Sequence, residues 1–278
     1  MINQSIVRAK KSFSQNFLHD ANICKKIVNS LECTSQDSVL EIGPGMGALT
    51  KFILQQEYSQ FTAVDLDKEV IEYLTPRIQN RNITLLQRDI LQVQLNQIFP
   101  NATSIKVVGN LPYSITSEIF FWLFDQSQQI QRAVVMVQKE VAQRFVAKPR
   151  SKEYGILSVS SALMSTPKIL FHVSPTCFTP QPKVTSSVVL FDFTKPITPP
   201  NNIQFTQSFV RAAFSQRRKM LTNSLQSWLA KNEFLLEEVV AISEECGVLI
   251  KERRAEELSP EEFTRLTDAL QTKKSLNK

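Results

Sequence analysis

The stretch VLEIGPGMGA, residues Val39–Ala48, joins a short apolar run to three glycines at alternate positions. The apolar run predicts a buried β-strand, and the spacing of Leu49, Phe52 and Ile53 predicts a helix directly after the glycines. Glycines at such a turn permit positive φ angles and let a ligand approach the main chain closely. The stretch therefore predicts a ligand-binding loop between a strand and a helix.

Strand-like runs recur along the first two thirds of the chain, and the early ones are separated by segments with helical spacing. The seven runs are Val39–Ile42, Phe61–Asp65, Ile83–Leu86, Ile105–Val108, Arg132–Gln138, Ile169–Val173 and Ser187–Phe193. Short apolar strands that alternate with helices are typical of an α/β fold with a mostly parallel sheet covered on both faces. Because the last two runs are joined by a loop, we expect them to form an antiparallel pair at one edge.

A second, all-helical domain is expected after the proline-rich stretch KPITPPNN, residues Lys195–Asn202, which interrupts regular structure. Beyond it, apolar spacing predicts helices over Phe209–Ala230 and Phe234–Cys246. A third helix opens at Ser259, which is followed by a proline and a capping-box glutamate. We therefore predict an α/β domain over residues 1–195 and a small helical domain over residues 196–278.

Composition excludes several classes of protein. The longest apolar runs, Ile119–Phe124 and Ala133–Val137, are far shorter than the ~20 residues of a membrane span. The four cysteines show no C-x-x-C spacing and the two histidines lie far apart, so neither a zinc site nor a secreted disulfide framework is expected. We expect a cytoplasmic protein without a metal and without a membrane partner.

The charge is modest overall but clustered. The 278 residues carry 32 Lys and Arg against 26 Asp and Glu, a net charge of +6. Two local clusters stand out, and their members are Arg8, Lys10, Lys11, Arg211, Arg217, Arg218 and Lys219. Local basic patches on a chain of small net charge are typical of a shaped nucleic-acid surface, although composition alone favours the simpler interpretation of solvated charges on a basic enzyme.

The glycine loop by itself leaves two ligands open. Asp65 lies about twenty residues after the loop, at the end of the second strand, where an acid holds ribose hydroxyls in dinucleotide-binding folds. The same arrangement suits S-adenosylmethionine in class I methyltransferases. Downstream residues decide between the two ligands. Asp89, next to Ile90, follows the third strand, and GNLPY (Gly109–Tyr113) follows the fourth, at the sheet edge where open α/β sheets keep their sites.

The motifs together resemble those of the ribosomal RNA adenine dimethyltransferases, from about residue 8 to the last helix. They are KSFSQNFL (Lys11–Leu18), EIGPGMGALT (Glu41–Thr50), GNLPY (Gly109–Tyr113), VQKEVA (Val137–Ala142), YGILSV (Tyr154–Val159), FTPQPKV (Phe178–Val184) and FSQRRK (Phe214–Lys219). The resemblance implies a class I (Rossmann-like) fold and S-adenosylmethionine as the cofactor. The FSQRRK run and the helical domain favour the bacterial small-subunit branch. The ribose-binding acid, often glutamate in that family, is Asp65 here.

The residues and the resemblance predict a cofactor site and a catalytic motif. The predicted cofactor-binding residues are Asn16, Leu18, Glu41, Gly43, Gly45, Asp65, Asp89, Ile90 and Asn110. Asn110 and a backbone carbonyl of Leu111–Pro112 are expected to accept the hydrogens of an adenine amine, while Tyr113 stacks on the base. By resemblance, Phe178 forms a second aromatic wall. Only two histidines are present, neither near the motif, and this methyl transfer needs no ordinary general base.

The predicted partner is small-subunit ribosomal RNA or the assembling small subunit, bound by a monomer. Its predicted contacts are Arg8, Lys10 and Lys11 at the N-terminus and Arg211, Arg218 and Lys219 in the helical domain, with Arg217 paired to an acid. Three alternatives stay open: a macrolide-resistance methyltransferase of the large subunit, a non-catalytic RNA-binding or transcription factor, and a dinucleotide oxidoreductase.

Overall fold

The computed structural model describes residues 16–78 and 83–276. The chain divides into two units, one up to Ala142 with Lys168–Thr194, the other Gln143–Pro167 with Lys195–Lys278. The division after Thr194 lies beside the predicted boundary at 195/196. Residues 143–167 differ from the prediction, since they group with the helical unit. Tyr154, Val159 and Leu163 of this segment pack in the same apolar cluster as the C-terminal helices.

The first unit is built on a seven-stranded sheet, as predicted. Its strands and those of a smaller sheet are β1 (Phe17–Leu18), β2 (Ser38–Ile42), β3 (Gln60–Asp65), β4 (Ile83–Gln87), β5 (Ile105–Asn110), β6 (Ile130–Gln138), β7 (Thr166–Val173), β8 (Phe178–Thr179) and β9 (Ser186–Asp192). The order in the large sheet is β4-β3-β2-β5-β6-β9-β7. Neighbours from β4 to β6 run parallel, whereas β9 is antiparallel to β6. The predicted final pair, β7 and β9, are neighbours at one edge.

Helices alternate with the strands, as predicted for the early part of the chain. They are α1 (Ala21–Asn29), α2 (Thr50–Ile53), α3 (Lys68–Leu74), α4 (Leu95–Ile98), α5 (Thr116–Asp125) and α6 (Lys139–Phe145). Asp20 caps the N-terminus of α1, since its carboxylate accepts the N–H groups of Asn22 and Ile23. Strands β2 and β5 are parallel neighbours, so their carboxyl ends reach the same edge of the sheet, and both strands are almost wholly buried.

A two-stranded antiparallel sheet of β1 and β8, absent from the predictions, joins two distant segments. Phe17 faces Thr179 and Leu18 faces Phe178, and the N–H of His19 donates to the carbonyl of Cys177 at 3.0 Å. The segment before α1 is thereby fastened to the loop between β7 and β9.

The second unit is helical. Its helices are α7 (Ile156–Met164), α8 (Ile203–Ala213), α9 (Leu221–Ser224), α10 (Gln226–Asn232), α11 (Leu236–Glu245) and α12 (Pro260–Leu276). The predicted capping box is present, since the Glu262 carboxylate accepts the Ser259 N–H at 2.7 Å and the Ser259 hydroxyl accepts the Glu262 N–H at 3.2 Å. Across the described residues, no helix combines the length and the apolar character needed to cross a bilayer.

The single helix predicted over Phe209–Ala230 is wrong. The α-helix ends at Ala213, a 3-10 turn covers Phe214–Gln216, and two short helices, α9 and α10, follow. After the break, the N–H of Leu221 at the start of α9 donates at 2.8 Å to the carbonyl of Arg253, so this helix begins on a tertiary hydrogen bond and not on a continued turn of α8. Arg211 and Arg218 therefore do not share one helical face.

Candidate active site

One cavity of about 340 Å³ opens at the carboxyl edge of the sheet, within the first unit. Its walls come from the segments that follow β2, β3, β4 and β5, together with the segment around β1. All nine residues predicted to bind a cofactor line it: Asn16, Leu18, Glu41, Gly43, Gly45, Asp65, Asp89, Ile90 and Asn110. Leu111, Pro112 and Tyr113 of the predicted catalytic motif line it as well. The volume is in the range of pockets that hold a small molecule.

The glycine loop forms the floor of the cavity. Gly43 and Gly45 have φ angles of 67° and 53°, which lie in the left-handed region that glycine adopts without strain. A Cβ at Gly45 would also lie 3.1 Å from the ring of Phe17, so the loop and β1 approach each other closely. The loop is anchored to the sheet where the Gly43 N–H donates to the carbonyl of Val64 at 2.9 Å.

Asp65 ends β3 and points its carboxylate toward the glycine loop. Its Oδ1 accepts the N–H of Asp67 at 2.9 Å. Burial raises the pKa of the Asp65 carboxyl above its usual range, and hydrogen bonds from the N–H groups of Asp67 and Gly45 act in the opposite direction. The acid predicted at this strand end is therefore held in place beside the loop by backbone donors.

Glu41 is a buried acid in the cavity wall. It is 1% exposed, and its Oε2 accepts the hydroxyl hydrogen of Thr50 at 2.7 Å. Burial raises the pKa of the Glu41 carboxyl to about 8, while hydrogen bonds from Thr50 act against that shift. The nearby Asp65 carboxylate raises it further. A carboxyl group that is largely neutral at pH 7 thus adjoins the cavity.

Asp89 is positioned by its own turn. Its Oδ1 accepts the N–H of Leu91 at 3.0 Å and caps the 3-10 turn Ile90–Gln92. The cap fixes the orientation of the carboxylate and uses one acceptor site of Oδ1, so acceptor sites of Asp89 are left for a ligand.

Asn110, the last residue of β5, is oriented by a contact with the opposite wall. Its Nδ2 donates to the main-chain oxygen of Asn16 at 2.9 Å. One N–H of the amide is used by Asn16, and within residues 16–78 and 83–276 no hydrogen bond is found to Oδ1 of Asn110. The carboxamide oxygen is therefore the atom of this residue that can accept a hydrogen bond from a ligand.

The main-chain carbonyls of Leu111 and Pro112 differ in the hydrogen bonds that they accept. The carbonyl of Pro112 accepts the hydroxyl of Thr116 at 2.9 Å and the N–H of Ile115 at 3.4 Å. The N–H of Leu111 donates to the carbonyl of Met136 at 3.1 Å, which ties the motif to β6. Among the described residues, the carbonyl of Leu111 is left as the main-chain acceptor next to the Asn110 side chain.

Tyr113 is half-buried and lines the cavity. Its hydroxyl forms a 2.7 Å hydrogen bond with Oγ of Ser186, the first residue of β9. Burial raises the pKa of the Tyr113 phenol, and the hydrogen bond with Ser186 acts in the opposite direction. The ring is thus fastened at its far end to the sheet.

Phe178 does not line the cavity, in contrast to the prediction of a second aromatic wall. It is 1% exposed and packs in the core cluster that also contains Leu18 and Ile27. The physical reason is the pairing of β1 with β8, which sets Phe178 opposite the buried Leu18. In this structure Phe178 is a core residue one strand away from the cavity.

Several lining residues were missed by sequence reasoning, among them Phe17, Met46, Leu66, Asp67 and Arg88. Leu66 is 54% exposed although it directly follows a buried strand and the acid Asp65. An apolar residue next to an acid at a strand end is the signal that could have identified it, because such a side chain offers a surface on which a ring can pack. Phe17 carried no such signal, since only the pairing of β1 brings it to the glycine loop.

The predicted RNA contacts lie partly in the helical unit. Arg211 is in the last turn of α8, while Arg218 and Lys219 lie between the 3-10 turn and α9, and all three are exposed. Arg217 pairs with Glu256 at 2.6 Å and so has the predicted acidic partner. Arg8, Lys10 and Lys11 lie outside the described residues. In the part of the chain that the structure describes, no group of three His, Cys, Asp or Glu side chains is arranged to hold a metal ion.

Comparison with known proteins gives one consistent result. A family model described as "Ribosomal RNA adenine dimethylase" matches residues 6–272. "Ribosomal RNA small subunit methyltransferase A" of Latilactobacillus sakei is 40% identical over 267 residues, covering 94% of this chain and 89% of the relative. The protein of the same name from Clostridium botulinum is 36% identical and covers 97% of both chains.

Solved structures agree on the fold. A dimethyladenosine transferase from Plasmodium falciparum superposes with a TM-score of 0.73 at 24% identity, over 90% of this chain and 95% of that one. The 23S rRNA methyltransferase ErmE superposes with a TM-score of 0.67 at 25% identity, over 92% and 100%. The sheet order, the family match and the relatives confirm the predicted class I fold and the resemblance. The chain belongs to the ribosomal RNA adenine dimethylase family and is an S-adenosylmethionine-dependent methyltransferase.

Proposed function

We propose that this protein dimethylates the exocyclic amines of two adjacent adenosines in the hairpin near the 3′ end of small-subunit ribosomal RNA. The observation that carries the proposal is the shared cavity in which the glycine loop, Asp65 and Asp89 meet the amide of Asn110. A cofactor bound by the glycine loop, Asp65 and Asp89 would extend to Asn110, whose amide oxygen can accept a hydrogen bond from an amine. The cofactor and the target base would thus meet in one cavity.

The residues of the cavity fit S-adenosylmethionine. Gly43 and Gly45 line the cavity with left-handed φ angles and carry no side chains against which the cofactor would collide. Asp65 would accept the ribose hydroxyls, Asp89 the adenine amine, and the exposed Leu66 would pack on the adenine ring. Asn16 and Leu18 would close over the methionine end. When bound, the cofactor supplies an electrophilic methyl group.

Two acceptors prepare the target amine. The lone pair of an adenine amine is delocalised into the ring, so it must be drawn out of conjugation before it can attack. Oδ1 of Asn110 and the main-chain carbonyl of Leu111 would each accept one amine hydrogen, while the carbonyl of Pro112 is already used by Thr116. Positive charge develops on the nitrogen during transfer, and these hydrogen bonds therefore strengthen in the transition state.

The target base would leave its RNA stack and rest on Tyr113. Extrusion costs a few kcal/mol, and stacking on one aromatic ring returns ~1–3 kcal/mol. After the first methyl transfer the amine keeps one hydrogen, so one side of the pocket must accommodate a methyl group. Leu111 and Ile115, which line the cavity, provide an apolar wall for it.

RNA docking would use exposed cations of the helical unit. Arg211, Arg218 and Lys219 carry positive charge on the surface of that unit, and A-form RNA is bound mainly through phosphates and shape. Arg8, Lys10 and Lys11 remain further candidates. The monomeric state expected from the sequence stays a prediction, as does the cytoplasmic location that a ribosomal substrate supports.

The names of the relatives favour the small subunit over the large one. The protein from Latilactobacillus sakei is a small-subunit methyltransferase at 40% identity, whereas the large-subunit enzyme ErmE shares 25%. The decisive experiment incubates the protein with tritiated S-adenosylmethionine and unmethylated small subunits, free ribosomal RNA or large subunits, and maps the label. Label in two adjacent small-subunit adenosines supports the proposal, whereas label in large subunits, or none, overturns it.

A further inference from the structure

The hydroxyl of Tyr113 ends at a fixed point of the sheet. Its hydrogen bond to Oγ of Ser186 is 2.7 Å long and joins residues 73 positions apart. Ser186 is wholly buried, begins β9 and faces Gln138 across the antiparallel pair with β6. The adjacent main chain is fastened as well, since the N–H of Lys139 donates to the carbonyl of Thr185 at 2.9 Å. Ser186 is therefore an anchor that does not move with the loops.

An anchored hydroxyl restricts the ring that carries it in two ways. The hydroxyl oxygen of tyrosine lies on the axis of the Cβ–Cγ bond, so fixing its position fixes χ1 and with it the place of the ring. A phenol hydroxyl forms its hydrogen bonds preferentially in the plane of its own ring, so a bond to the fixed Oγ of Ser186 also favours one orientation of that plane about χ2. A stacking surface acts only when its plane matches that of the base, and such residues need support from neighbours that are themselves rigid. The residues that follow Tyr113 do not provide such rigid support, because Ser114 is exposed and Ile115 is half-buried.

We propose that Ser186 is a positioning residue for methyl transfer, which holds the ring of Tyr113 in the plane on which the extruded adenine stacks. This inference rests on the proposed function, because it needs Tyr113 to stack on the target base. It also ties the catalytic motif to the segment Phe178–Ser186, whose other end is paired with Leu18 in the cavity wall. Both ends of that segment thus contact residues that line the cavity.

Strand β9 offers a matched control at the next position. Ser187 is as deeply buried as Ser186, but its Oγ contacts Nδ1 of His172 at 2.8 Å rather than Tyr113. Ser187→Ala therefore removes a hydroxyl of the same kind from the same strand without touching the motif. Tyr113→Phe removes the same hydrogen bond as Ser186→Ala from its other end and keeps the aromatic ring.

The test is a double-mutant cycle on methyl transfer into unmethylated small subunits, with kcat and KM for the subunit measured separately. We expect Ser186→Ala and Tyr113→Phe each to lower kcat by about tenfold, the size of one neutral hydrogen bond, with little change in KM. The double variant should be no slower than either single variant, because both remove the same bond. Ser187→Ala should keep the rate of the unaltered protein. A cooperative thermal unfolding transition, measured for each variant, serves as the control that the variant is folded.

A second readout reports the stack directly. An RNA hairpin with the fluorescent adenine analogue 2-aminopurine at the target position is bound in the presence of S-adenosylhomocysteine. Stacking on Tyr113 quenches its emission, so Ser186→Ala should leave the emission higher at saturating protein, and Ser187→Ala should not. Multiplicative losses of kcat in the cycle, or equal behaviour of the two serine variants, would overturn the proposal. If Tyr113→Ala is as active as the unaltered protein, the proposed stacking function itself is wrong.

Discussion

The side-chain Nδ2 of Asn110 donates a 2.9 Å hydrogen bond to the main-chain oxygen of Asn16, although the two residues lie 94 positions apart. One residue ends the central strand β5, and the other precedes β1 in the opposite wall of the cavity. The bond uses one N–H of the amide and leaves its oxygen as the acceptor that the proposed mechanism assigns to the adenine amine. The orientation of the amide is therefore set before any adenine arrives.

Replacement of Asn110 separates chemistry from docking. Asn110→Ala removes an acceptor that acts on the developing ammonium, so methyl transfer should fall by about 10²-fold or more while RNA affinity stays close to normal. Asn110→Asp keeps an oxygen for the amine but places a carboxylate oxygen against the Asn16 carbonyl, and it should weaken cofactor binding as well. Tritium transfer and filter binding measure the two effects. Loss of RNA affinity equal to the loss of rate would contradict the assignment.

Asp65→Ala should weaken the binding of S-adenosylmethionine by ~1.5–3 kcal/mol, because the ribose hydroxyls lose a charged acceptor. Asp65→Asn keeps the shape and the Oδ1 acceptor for Asp67, so it serves as the control for collapse of the loop. Titration calorimetry gives both affinities. An Asp65→Ala variant that binds as tightly as the unaltered protein would remove Asp65 from the cofactor site.

The buried carboxyl of Glu41 should make stability depend on pH. Its pKa rises from 4.5 in the unfolded chain to about 8 in the fold. Between these values the folded state keeps a proton that the unfolded state has released, so this group's contribution to stability falls as pH rises and levels off above about 8.

Glu41→Gln is neutral in both states and lacks that dependence. The Tm of the unaltered protein minus that of Glu41→Gln should therefore be greatest at low pH and shrink as pH rises. Thermal unfolding of both proteins across this range, without cofactor, measures it. Parallel curves would show that Glu41 ionises normally in the fold.

The close approach of β2 and β5 should make position 109 intolerant of a side chain. A Cβ at Gly109 would lie 2.6 Å from the main-chain oxygen of Ile42, so Gly109→Ala should lower the free energy of unfolding by ~1–3 kcal/mol. Gly155→Ala is the control, since an added Cβ there meets nothing within 4 Å. Urea unfolding compares the two. If Gly109→Ala and Gly155→Ala lower the free energy of unfolding equally, β2 and β5 can move apart without loss of stability.

Charge removal in the helical unit should weaken RNA binding without slowing turnover at saturating RNA. For Arg211→Gln with Arg218→Gln, the slope of log K against log salt should decrease by ~0.7–0.9 for every phosphate that is no longer neutralised. Lys231→Gln with Lys251→Gln removes the same charge from other exposed positions of that unit. If both pairs of substitutions change the slope equally, Arg211 and Arg218 form no dedicated surface, and docking is then to be sought at Arg8, Lys10 and Lys11.

The sequence was sufficient to predict most strands of the sheet and the site residues that follow those strands. Short apolar strands that alternate with helices leave few topologies, and the carboxyl ends of parallel strands meet at one edge. Gly43, Asp65, Asp89 and Asn110 could therefore be placed together from their positions after successive strands, and all four line one cavity.

Tertiary structure decided what local pattern does not encode. The helix that contains Phe209 ends at Ala213 although neither Pro nor Gly interrupts the pattern, and α9 begins where Leu221 hydrogen-bonds to the distant Arg253. Phe178 turns into the core because β8 pairs with β1, and the pairing of Tyr113 with Ser186 depends on where β9 enters the sheet. Periodicity reports which residues of one element are buried. Only the packed chain decides which distant element buries them, because that choice depends on contacts between segments far apart in sequence.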